Sequence, residues 1–71
     1  MSIDPKEARL RLGLNQTMMA DAMSVNLRTW TKWERGEREP NAAAQQMMAA
    51  LIWLKDKGQL DDFLESRAII F

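Results

Sequence analysis

Seventy-one residues make one small domain, and ten basic and ten acidic side chains cancel to a formal charge of zero. The chain has no cysteine and no histidine, which excludes disulfides, thiolate metal sites, and the commonest general base and metal ligand. Enzyme activity, a bound cofactor and a metal are therefore not expected, and the neutral balance speaks against a non-specific polycation coating nucleic acid.

The only glycines and prolines, Pro5, Gly13, Gly36, Pro40 and Gly58, cut the chain into helix-length pieces. Asp4-Pro5-Lys6-Glu7 reads as a helix start, with Asp4 as cap and Pro5 at the first helical position, and Gly13 supplies the stop after Leu12. Asn15 caps a second short helix to about Met23, with Met18, Met19, Ala22 and Met23 at helical spacing. Asn26 caps a third to about Arg35, ended by Gly36. Asn41 caps a fourth whose apolar stripe is Ala44, Met47, Met48, Leu51 and Leu54, ending near Gly58. Leu60, Phe63 and Leu64 suggest a final turn or short helix, and no stretch alternates with period two. The expected fold class is all-α, a compact bundle of four to five helices.

Short helices on either side of Ser24-Val25 must cross steeply, which is helix-turn-helix geometry. Ala20 is small where they meet, and Val25, Trp30 and Trp33 form the apolar side of the turn and third helix. Trp30, Trp33 and Trp53 read as core, as do the Met18-Met19 and Met47-Met48 pairs. Asp56, Asp61, Asp62 and Glu65 read as a solubilising surface. No apolar run approaches the ~20 residues of a bilayer span, and Met1-Ser2-Ile3-Asp4 lacks the features of a secretion signal. A cytoplasmic protein, with no membrane and no small-molecule ligand, is the expectation.

Leu12-Gly13-Leu14-Asn15-Gln16, Met19-Ala20-Asp21, Val25-Asn26, and above all Trp33-Glu34-Arg35-Gly36 followed by Pro40 resemble the lambda-repressor/Cro-like (Xre-type) helix-turn-helix family from about Lys6 to Leu54. One departure is Ser24, where the family usually has a turn glycine. The resemblance implies a DNA-binding domain over residues 1–58, with its helix-turn-helix at about 15–35 and a C-terminal extension over 59–71. It implies that the third helix lies in the major groove of double-stranded DNA, with Leu27, Arg28, Thr31 and Lys32 facing base edges. Asn15, Gln16, Thr17, Asn26, Arg35 and Arg38 would grip the phosphate backbone, with Glu37 and Glu39 diluting that grip. Arg9 would pair with Glu34 and fix the angle between helices. The apolar end Ile69-Ile70-Phe71 is expected to make a homodimer, as an exchanged strand or a helix contact, matching a two-fold operator. The expected function is a Cro-like repressor or autoregulator of a small phage or bacterial operon, of toxin–antitoxin or anti-CRISPR-associated type among others. The alternative is a helix-turn-helix interaction module that no longer binds DNA.

Overall fold

A computed structural model of the chain describes the backbone of residues 2–70 and the side chains of residues 2–66. Over that span there are five helices and no strand: α1 (Pro5–Leu12), α2 (Gln16–Ala22), α3 (Leu27–Glu34), α4 (Ala42–Asp56) and α5 (Leu60–Ile70). The first four start where a side-chain oxygen takes up an orphan backbone donor. The Asp4 carboxylate accepts from the Glu7 amide at 3.1 Å. The side-chain oxygens of Asn15, Asn26 and Asn41 accept from the Met18, Thr29 and Ala44 amides, each at 2.8 Å.

Met19, Trp30, Met48 and Leu51 are fully enclosed at the centre of the core, and Ala8, Leu12, Ala20 and Trp33 surround them. Helices α2 and α3 pack on each other, α1 packs on α4, and α5 lies against α4. Leu60, at the start of α5, is buried in the same core, with Phe63 and Leu64 packed against it. The chain start is tied down as well. The Gln45 side-chain amide accepts from the Ile3 amide at 2.6 Å and donates to the Ile3 carbonyl at 3.4 Å.

The tight corner of the helix-turn-helix falls at Ser24, whose φ of 59° is in the left-handed region. A non-glycine residue there costs about 1 kcal/mol or more. The cost is offset locally by capping bonds: the Ser24 amide donates to the Asp21 carbonyl and the Val25 amide to the Ala20 carbonyl, both at 3.0 Å.

Two features differ from the sequence expectations. Met18 is 51% exposed rather than core, because the buried side of α2 is set by Met19, Ala20 and Ala22, and Met18 lies a full residue off it. Trp53 is 57% exposed, because it sits two residues past Leu51 on α4, nearly opposite that core position. Helix α5, expected as a final turn or short helix, is eleven residues long. Its backbone is helical through Ile69 and Ile70, so those two residues are not in a strand. The side chains of Ile69 and Ile70, and Phe71 as a whole, lie outside the described residues, and so does their expected dimer role.

Candidate nucleic-acid interface

The sequence of α3 sorts its side chains onto two faces. Trp30 and Trp33, three residues apart, turn inward, 0% and 8% exposed. Their rings meet edge to face with centroids 5.7 Å apart, the preferred arrangement for an aromatic pair. On the other side Leu27 and Arg28 are exposed, while Thr31 and Lys32 are half-buried. The Thr31 hydroxyl donates to the Arg28 carbonyl at 3.0 Å, one turn back. Among the described residues Arg28, Lys32 and Arg38 make no ion pair. Their cationic ends are thus not neutralised by a neighbouring carboxylate.

The helix is anchored from behind by one carboxylate. Glu34, with a side chain 5% exposed, accepts from Arg9 Nε at 2.7 Å and Arg9 Nη2 at 3.2 Å, a bidentate geometry. The Trp30 indole N–H also donates to it, as does Gln16 Nε2 at 3.4 Å. Arg9 Nη1 donates in addition to the Leu14 carbonyl at 3.2 Å. Burial pushes the Glu34 carboxyl up, but the hydrogen bonds from Arg9, Trp30 and Gln16 and the Arg9 charge outweigh it and hold the group below its ordinary value. Side chains from α1, α2 and α3 therefore converge on one anion.

The residues expected at the phosphates fall into separate groups. Asn15 and Asn26 use their side-chain oxygens as helix caps. Gln16 is exposed but shares its amide with Glu34, and Thr17 is exposed next to it. Arg35, just past the end of α3, is held by Glu37 at 2.6 Å. Arg38 is exposed in the following loop, lining a hollow with Trp33, Gly36 and Pro40.

Sequence reasoning missed the Trp30 and Gln16 bonds to Glu34. The first was legible, since Trp30 and Glu34 are four apart on one helix and so share a face. The second joins α2 to α3 and depends on the turn between them.

No helix among the described residues is long and apolar enough to cross a membrane. No curated protein and no solved structure matches the chain. A family model described as helix-turn-helix does match, over residues 6–50, from α1 into α4 and across every side chain of the Glu34 cluster. The tight α2–α3 corner at Ser24, the outward polar face of α3 and that match agree: the chain belongs to the lambda-repressor/Cro-like, Xre-type helix-turn-helix family of DNA-binding regulators.

Proposed function

We propose that the protein is a sequence-specific transcriptional repressor of the Cro-like kind, acting as a homodimer on a two-fold operator near its own gene in a small phage or bacterial operon. The observation that carries the reading is the division of α3 into an enclosed tryptophan face and an outward face of Leu27, Arg28, Thr31 and Lys32. A major groove admits one helix and shows each base pair a distinct donor and acceptor pattern. Arg28, without an ion-pair partner among the described residues, suits bidentate recognition of a guanine edge, and Lys32 reaches the same edge or a phosphate. Leu27 suits a thymine methyl, and Thr31 either type of base.

Arg38, Gln16 and Thr17 then position the domain on the backbone without reading sequence. Asn15 and Asn26, as caps, hold the first turns of α2 and α3 in shape for that contact. Arg35 contributes less, because Glu37 already neutralises it.

A gel shift tests the reading, with the DNA upstream of the gene and random DNA compared at two salt concentrations. The operator complex should survive the higher salt and the random complex should not. Equal, salt-labile binding to both sequences refutes sequence specificity. No binding to either favours the interaction module over the repressor.

A further inference from the structure

A threonine hydroxyl has one proton to donate and two lone pairs with which to accept, so in a DNA groove it suits any base edge. At Thr31 the proton is already engaged. Its Oγ1 lies 3.0 Å from the Arg28 carbonyl, one turn back in α3. A carbonyl cannot donate, so the proton in that bond belongs to Thr31. Oγ1 has no other hydrogen-bond partner among the described residues. Threonine has a single side-chain torsion between heavy atoms, and this bond fixes it. What Oγ1 still offers the groove is its lone pairs.

We propose that Thr31 is an acceptor-only contact, which selects an amino-bearing base, adenine or cytosine, over a keto-bearing one, guanine or thymine. The proposal rests on the major-groove reading above and narrows what one residue of it recognises. In the major groove adenine shows its N6 amino group and cytosine its N4 amino group, whereas guanine O6 and thymine O4 only accept. Each base pair has one base of each kind, so the choice decides which strand carries the amino group. Accepting from an amino group adds a hydrogen bond and keeps the one to Arg28. Donating to a keto oxygen turns the hydroxyl away from the Arg28 carbonyl, so one bond is only exchanged for another. Left in place, the lone pairs of Oγ1 face those of the keto oxygen. One net hydrogen bond corresponds to about fivefold in binding.

The contact has a definite neighbour. Arg28 and Thr31 are three residues apart and share a face of α3, about 4.5 Å apart along its axis. A base-pair step is about 3.4 Å. A guanine for Arg28 and an amino-bearing base for Thr31 therefore fall on one base pair or on adjacent ones.

Parallel selection of duplexes from a random pool, by the full wild-type chain and by Thr31→Val, tests this. Valine replaces the hydroxyl by a methyl group of similar size. The two selected sequences should differ at one base pair. There wild type should take adenine or cytosine on one strand, and Thr31→Val should lose that preference. Thr31→Ser keeps the hydroxyl and should keep the preference. On the selected site, purine in place of the adenine, or pyrimidin-2-one in place of the cytosine, removes the amino group alone. Wild type should then lose about fivefold more affinity than Thr31→Val, a comparison in which the weakened base pairing, common to both, cancels.

A guanine or thymine preference that depends on Thr31, one and the same selected sequence for wild type and Thr31→Val, or equal losses on the analogues each overturns the assignment and leaves the repressor standing. A pool from which wild type enriches no sequence sinks the repressor, and the assignment with it.

Discussion

Glu34→Ala removes the acceptor of four hydrogen bonds at once, two from Arg9 and one each from Trp30 and Gln16. The costs differ by burial. Gln16 is exposed and turns to water. Arg9, with a side chain 14% exposed, keeps the Leu14 carbonyl but loses its counter-charge. Breaking a buried pair costs about 3–5 kcal/mol, and the partial access of Arg9 to water places it near 3. Trp30 is 0% exposed, so its orphaned N–H adds about 1–3 kcal/mol. A domain of this length has about 4–10 kcal/mol in total, so Glu34→Ala should lose roughly half of its stability or more. Urea denaturation followed by circular dichroism measures this. The double variant Arg9→Met, Glu34→Leu should recover the arginine share and leave the tryptophan share, and adding Trp30→Phe should recover most of the remainder. A single variant that melts with wild type refutes the reasoning. So does a double variant that recovers everything, since Trp30 would then have lost nothing.

The remaining predictions concern DNA and acid. Arg28→Ala should weaken operator binding by about 1–3 kcal/mol and relax discrimination at one base pair, read from gel shifts on single-base operator variants. Equal losses on operator and random DNA would make it a phosphate contact. Arg38→Ala should weaken both alike and lower the salt slope of binding by about one. Because the folded Glu34 carboxyl titrates below its ordinary value of 4.5, its contribution is complete above that value and is lost as pH falls through the lowered folded value. Melting temperature should therefore fall more steeply with acid in wild type than in Arg9→Met, Glu34→Leu, and parallel curves below about pH 4.5 would contradict this.

The helices were legible because their signals are local. Asp4, Asn15, Asn26 and Asn41 each cap within three residues, and Gly13 and Gly36 take the left-handed φ that ends a helix. The two faces of α3 followed from spacing alone. Met18 and Trp53 are exposed despite their size, because each lies off the buried stripe of its own helix and direction outweighs side-chain volume. Leu60 shows the same lesson from the other side: one leucine after Gly58 is enough to carry the core into α5. The bond from Gln16 to Glu34 and the clamp of Gln45 on Ile3 were out of reach, since each joins segments whose juxtaposition is fixed only by the finished packing.

That clamp has a consequence for how the chain comes to be folded. Ile3 and its partner are 42 residues apart, in a molecule whose other contacts are mostly near in sequence. During synthesis α1, α2 and α3 leave the ribosome before Gln45 does, and before Met48 and Leu51 arrive to fill the centre of the core. A nascent helix-turn-helix lacks the α4 members of the core cluster to which Trp30 belongs, and its chain start is untethered. The complete core is thus withheld until α4 has cleared the ribosome, and then arrives together with the anchoring of the first residues.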